Sequence, residues 1–121
     1  MQYYFHMNFV TKLAESSCSE EELESYAERL KVCGHPIRLK ILCLIDKGDA
    51  CVSELWRCLN QAQPVISQHL AILKEKGIVT SEIKGNKRIY SIVDPFVRSI
   101  VRSLDNGVGQ PEKAAIGSSR L

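Results

Sequence analysis

The sequence predicts a mainly α-helical domain carrying one small β-hairpin, and three observations predict it. Residues 61–77 place apolar side chains at helical spacing and stop at Gly77. Residues 78–93 change to alternation, in two strand-like runs separated by Gly85-Asn86. Upstream, residues 34–48 and 52–59 carry the start and stop signals of two further helices.

In chain order, Tyr4, Phe5, Phe9 and Leu13 outline a short amphipathic helix, closed by a break at Ser16-Ser17. Residues 20–32 outline the next helix, with Leu23, Tyr26, Ala27 and Leu30 on one side and many acids on the other. The helix of residues 34–48 opens with Pro36 in its first turn, where a missing N–H costs nothing. Ile37, Ile41, Leu44 and Ile45 keep helical spacing, and Lys47-Gly48 is a basic-then-glycine ending. Val52-Ser53-Glu54-Leu55 starts a short helix, with Ser53 as its N-cap, that runs to about Leu59. Asn60-Gln61-Ala62 turns the chain into the following helix.

That helix has two different long faces. Val65, Ile66, His69, Leu70, Ile72 and Leu73 collect on one side, and Gln63, Pro64, Ser67, Gln68, Ala71 and Lys74 on the other. The second face has amides, a hydroxyl, small residues and no acid before Glu75. Gln amides and Ser hydroxyls suit the reading of base edges in a DNA major groove, and small neighbours allow close approach. The competing reading is a surface helix with a polar face. The hairpin adds weight to the first. Val79, Ser81 and Ile83 alternate with Thr80, Glu82 and Lys84, and the tip carries Lys84, Lys87 and Arg88 with no acid. A helix followed by a hairpin with a basic tip is a winged helix-turn-helix. Its helix enters the major groove, and its tip meets phosphate or a neighbouring minor groove.

Asp94-Pro95 opens a last helix over residues 95–104, where Phe96, Val97, Ile100, Val101 and Leu104 make a broad apolar face. That face exceeds what the hairpin needs for its own packing and points to a partner helix. Residues 105–121 mix Gly, Ser and isolated charges and read as a disordered tail. The expected organisation is an N-terminal helix and mobile segment over 1–19, one DNA-binding and dimerisation domain over 20–104, and the tail over 105–121.

The chain has 121 residues, the size of one domain with a modest core. Its formal charge is only +2, so local sign matters more than the total: acids gather between Glu15 and Glu28, while residues 84–88 hold three basic groups. The longest apolar stretches are too short to span a bilayer. The N-terminus has no charged region followed by an apolar core, so no secretory signal is expected. Five cysteines, an odd number, without such a signal point to a reducing cytoplasm and unpaired thiols.

Several segments together resemble the ArsR/SmtB family of bacterial winged-helix repressors. They are residues 35–42 (His35-Pro36-Ile37-Arg38-Leu39-Lys40-Ile41-Leu42), Val52-Ser53-Glu54-Leu55, residues 63–73 (Gln63-Pro64-Val65-Ile66-Ser67-Gln68-His69-Leu70-Ala71-Ile72-Leu73), Gly77-Ile78-Val79 and residues 85–90. They occur in order at the family's spacing, over roughly residues 25–104. The resemblance implies a homodimer that binds an imperfect palindrome in double-stranded operator DNA and releases it on binding a metal, a metalloid or a thiol oxidant. It implies base reading by Gln63, Pro64, Ser67 and Gln68, although the family usually has Ser where Pro64 stands. It also implies that the first and last helices form the dimer interface.

The cysteines bear on the inducer. Cys33, Cys43 and Cys58 sit where a small core residue is expected, since free Cys is among the most buried residue types. Cys51, before the Ser53 cap, is expected to be partly accessible, and Cys18 lies in a polar Ser-rich segment. Two accessible thiols on separate elements can clamp a thiophilic ion, because soft thiolates select soft metals. No cofactor is required; arsenite, cadmium or lead is the expected inducer. The resemblance adds that family sensors of these ions often carry Cys-Val-Cys where this chain has Cys51-Val52-Ser53, so only the first thiol is kept. Cys18 would take the role of an N-terminal thiol, with Cys58, His6 or the other subunit as a third donor. The family's zinc site on the last helix is missing, because Asp94 is followed by Pro95 and Phe96 and no His follows His69. The family's thiol and persulfide sensors pair a Cys at the position of Cys43 with one on the last helix, and no Cys follows Cys58. His35 and His69 read as structural.

An enzyme is not expected. There is no Gly-rich phosphate loop, no carboxylate pair beside a His and no nucleophile elbow. Two alternatives share the fold: a thiol-based redox or persulfide-responsive repressor, and a winged helix used only for protein contacts.

Overall fold

The computed structural model describes residues 17–48 and 51–105. The helix expected over Tyr4 to Leu13, and the tail after residue 105, lie outside the described residues. Within them the order is α1 (Glu20–Cys33), α2 (Pro36–Gly48), α3 (Val52–Leu59), α4 (Gln63–Glu75), β1 (Val79–Lys84), β2 (Lys87–Ile92) and α5 (Pro95–Asp105). This is a winged helix-turn-helix: α3 and α4 form the helix pair, and the antiparallel hairpin β1–β2 is the wing.

The core gathers around α2. Ile41, Leu42 and Ile45 are buried against Leu55 of α3, Ile66, Leu70 and Leu73 of α4, and Val97 and Val101 of α5. Truncating any of the larger of these to Ala would remove about 2–5 kcal/mol, the usual cost of a core cavity. Two ion pairs tie α2 to α5, Arg102 to Asp46 at 3.5 Å and Lys47 to Asp105 at 4.0 Å. Lys47, Asp105 and Arg102 are exposed and only Asp46 is partly covered, so both pairs contribute little.

The turns have local causes. Asn60 closes α3 in the left-handed conformation, φ 53° and ψ 43°, which Asn tolerates better than most residues. Its N–H and that of Gln61 both donate to the Trp56 carbonyl. At the end of α4, Gly77 takes φ +72°. The Gly77 N–H donates to the Lys74 carbonyl and the Ile78 N–H to the Leu73 carbonyl, each at 3.0 Å. That is a Schellman ending, and Ile78 and Leu73 are both buried beside it. In the hairpin Lys84 pairs with Lys87, and Gly85 alone has positive φ, at +66°, as a type II′ turn requires.

Four expectations change. The N-cap of α3 is Cys51, not Ser53; Glu54 Oε2 accepts the Cys51 N–H at 3.2 Å, which moves the helix start two residues upstream. Cys51 is not accessible: it is 3% exposed, because it pairs with Ile89 as a short extension of the wing. Cys58 is exposed instead of buried. Leu55 takes the core position of this two-turn helix, and Cys58 borders a groove with Leu44, Lys47, Gly48 and Glu54. On α1 the expected apolar face is largely open, with Leu23 38% and Leu30 48% exposed, while Val32 and Cys33 enter the core.

Candidate nucleic-acid interface

The outer face of α4 follows from the helix period. Ile66, Leu70 and Leu73 are buried, so Gln63, Pro64, Ser67, Gln68 and Ala71 stand exposed on the opposite side. Ala62 is the N-cap and offers no capping side chain, and Pro64 occupies the first turn. Pro64 has no N–H to offer, and the Val65 and Ile66 N–H groups both donate to the Ala62 carbonyl, at 3.0 and 3.2 Å, so the first turn is closed largely on its own backbone.

The wing stands beside this face. Its register pairs Val79 with Ile92, Ser81 with Tyr90 and Ile83 with Arg88. Val79, Ile92 and Tyr90 lie in the core, so the same side of the hairpin runs outward to Ile83, 66% exposed, and Arg88. Lys84, Lys87 and Arg88 are all exposed. Ser81 joins the wing to α4: Lys74 Nζ donates to its Oγ at 3.0 Å, and Arg88 Nη1 donates to the same oxygen at 3.3 Å. Between α4 and the wing lies a cleft of about 400 Å³ lined by Cys51, Val52, Ser53, Gln63, Ser67, Asn86, Lys87, Arg88 and Tyr90. It brings together Gln63, Ser67, Lys87 and Arg88; Pro64, Gln68 and Lys84 lie outside its lining. None of the lining residues is acidic. Asn86 lines this surface although the sequence marks it only as a turn residue, and Lys74, on the polar face of the helix by its spacing, had no contact assigned. Only the fold brings Lys74 to Ser81.

The inner side of α4 is held by a polar group. Arg38 Nε donates to His69 Nδ1 at 3.3 Å, and Arg38 Nη1 donates to the Val32 carbonyl at 2.9 Å. The His35 and His69 rings lie 4.6 Å apart. His35 Nδ1 accepts the Ile37 N–H. Burial, then the neighbouring His35 and Arg38, push the His69 pKa below the usual imidazole value. Neutral His69 is the form that accepts from Arg38.

The thiols have unlike environments. Cys51 Sγ lies 3.2 Å from Ser53 Oγ. That hydrogen bond and the Glu54 backbone N–H lower its pKa. Burial, followed by Asp94, raises the Cys33 thiol; burial, followed by Asp105, raises Cys43. Cys18 is half-buried just before Ser19, the N-cap of α1. No group of three or more His, Cys, Asp or Glu side chains that could hold a metal ion occurs among the described residues. Among them, too, no helix is long and apolar enough to cross a membrane.

The chain is similar to known regulators over this whole region. Residues 35–81 match the family described as bacterial regulatory protein, arsR family. An HTH-type transcriptional regulator of Methanocaldococcus jannaschii is 42% identical over 70% of this chain and 97% of its own. The arsenical resistance operon repressor of Staphylococcus xylosus is 36% identical over 63% of this chain and 73% of its own. The share spanned differs among relatives and falls to 60% of one repressor's length. Among solved structures, the transcriptional repressor PagR of Bacillus anthracis is 34% identical, covering 69% of this chain and 97% of its own, with a TM-score of 0.63. The helix pair, the basic wing and these matches agree: the chain belongs to the arsR family of DNA-binding transcriptional repressors, which are not enzymes.

Proposed function

We propose that the chain is a homodimeric repressor whose α4 reads a palindromic operator and whose wing holds phosphate. Gln63, Pro64, Ser67 and Gln68 face the base edges, and Lys84, Lys87 and Arg88 meet the backbone. The observation that carries this reading is the uncharged, exposed outer face of α4 set beside a cationic wing, with no acid between them. Amides and hydroxyls supply directional contacts to bases, and cations supply the sequence-independent part. Dimerisation is supported by the apolar groups left open on α1, Leu23 and Leu30, and by Ile100 and Leu104, only partly covered on α5. A gel-shift titration against the chain's own promoter tests the reading; a winged helix used for protein contacts alone would give no specific shift.

The inducer in this reading is a soft metal or metalloid, arsenite or cadmium before zinc, bound by Cys18 and Cys51. The donor set is thiol, which suits a soft ion, and two thiols are few for tetrahedral zinc. The arsenical repressor among the relatives supports the same class of inducer. Cys51 is joined to Ile89 of the wing through its backbone, so a ligand that draws its sulfur toward Cys18 would pull on a residue tied to the wing. The ligand then favours a conformation with the wing displaced, and DNA affinity falls by the differential affinity for the two states. A second reading, release by oxidation of the same two thiols to a Cys18–Cys51 disulfide, is favoured by the lowered Cys51 pKa, since the thiolate is the reactive form. Release of operator by arsenite or cadmium, compared with release by peroxide reversed by a reductant, separates the two.

A further inference from the structure

Pro64, Ser67, Gln68 and Ala71 form one exposed strip along α4, since residues three and four apart are surface neighbours on a helix. The strip carries no charge. The next cation, Lys74, is turned to the wing, with its Nζ 3.0 Å from Ser81 Oγ. Arg and Lys are the side chains that grip guanine O6 and N7, and none stands on this strip. The carboxamides of Gln63 and Gln68 match adenine N6 and N7 instead. Every adenine so read has a thymine opposite, and the thymine 5-methyl is the apolar group that the major groove offers.

Pro64 is the apolar side chain placed to meet such a methyl. It is exposed and lies in the first turn of α4, the end that leads into the groove. Its ring is rigid and has no N–H, so it has nothing to give a polar base edge. Burial against a polar edge would leave that edge unsatisfied, whereas burial against a methyl removes apolar surface from water. Pro64 and Gln68 are about 6 Å apart along the helix axis, and base pairs are about 3.4 Å apart. That rise is the most the two residues can be offset along the DNA axis, so the thymine is expected within about two base pairs of the base that Gln68 reads.

We propose that Pro64 is a specificity-determining residue that reads a thymine 5-methyl group in each operator half-site. The inference rests on the base-reading role of α4 proposed above and assigns one contact within it. The test begins with duplexes selected from a random library by the wild-type chain. In the selected duplex each thymine is replaced in turn by deoxyuridine, which removes only the methyl. Affinities are measured by fluorescence anisotropy for wild type, Pro64→Ser and Gln68→Ala. At one thymine per half-site, uracil is expected to lower wild-type affinity about four-fold, the factor equivalent to about 0.8 kcal/mol for one buried methyl group. Pro64→Ser is expected to bind both duplexes equally. Pro64 is exposed and is not the N-cap, so Pro64→Ser leaves the buried face and the cap of α4 unchanged, and the thymine-to-uracil comparison needs no altered protein. If wild type tolerates uracil everywhere in a duplex that Gln68→Ala weakens, the Pro64 inference alone is overturned. Equal uracil penalties in wild type and Pro64→Ser overturn it as well. If no sequence is selected at all, base reading by α4 falls, and this contact with it.

Discussion

Arg29 of α1 and Asp94 at the start of α5 form a two-oxygen ion pair, with Arg29 Nη1 2.9 Å from Asp94 Oδ2 and 3.1 Å from Oδ1. The same carboxylate caps α5, accepting the Phe96 N–H at 2.9 Å and the Val97 N–H at 3.1 Å. The Arg29 guanidinium lies over the rings of Tyr26 and Phe96, which contact each other at 4.5 Å. Part of the α5 face expected to seek a partner helix is thus covered by α1 of the same chain. Asp94→Ala is expected to cost about 2–3 kcal/mol in urea unfolding, because it removes the cap and leaves Arg29 without its carboxylate. Asp94→Asn keeps a capping oxygen and should cost less. Burial alone would raise the Asp94 pKa, but Arg29 and the two N–H groups outweigh it and hold the carboxyl below its ordinary value. The stability it adds is therefore present above the usual carboxylate range and lost as pH falls through the lower folded value. Wild type should lose stability more steeply than Asp94→Asn below about pH 4.

His69 gives a pH dependence in a different window. Its folded pKa lies below the unfolded one, so the unfolded chain takes up the proton first. Stability is then expected to fall as pH drops below about 6.5. His69→Gln should flatten that part of the profile in thermal unfolding. An unchanged slope from pH 7 to 5 in the variant would assign the dependence to other groups.

The recognition helix and the wing were legible because their signals are local. The burial of Ile66, Leu70 and Leu73 follows from periodicity, and Gly77 and Gly85 mark turns that need positive φ. What was not legible depends on contacts between distant segments. Cys51 is buried because Ile89 crosses it, and nothing near residue 51 announces that strand. Lys74 and Arg88 meet at Ser81 only when β1 folds back along α4. Leu23 and Leu30 have the spacing of a core face, yet the core of one chain does not reach them.

Ile100→Asp is expected to yield monomers that bind DNA poorly. Two recognition helices must reach successive major-groove faces about 34 Å apart, which calls for a two-fold dimer. Sedimentation of the wild-type chain at micromolar concentration should give a dimer; a monomer there would remove the dimer from the proposal.

Inducer release should depend on Cys51 and Cys18. Arsenite or cadmium is expected to release operator from wild type and to act weakly on Cys51→Ser and Cys18→Ser, with Cys33→Ser and Cys43→Ser behaving as wild type. Equal release from wild type and Cys51→Ser would take Cys51 out of the sensor.

The base-reading face of α4 is tested most directly by operator affinity across a salt series for wild type, Ser67→Ala, Gln68→Ala and Lys87→Ala. Ser67→Ala and Gln68→Ala should each lose about 1–3 kcal/mol of specific binding and keep the wild-type salt slope. Lys87→Ala should weaken all sequences alike and reduce the slope by about one. Unchanged specific affinity in Gln68→Ala would contradict the assignment of this face.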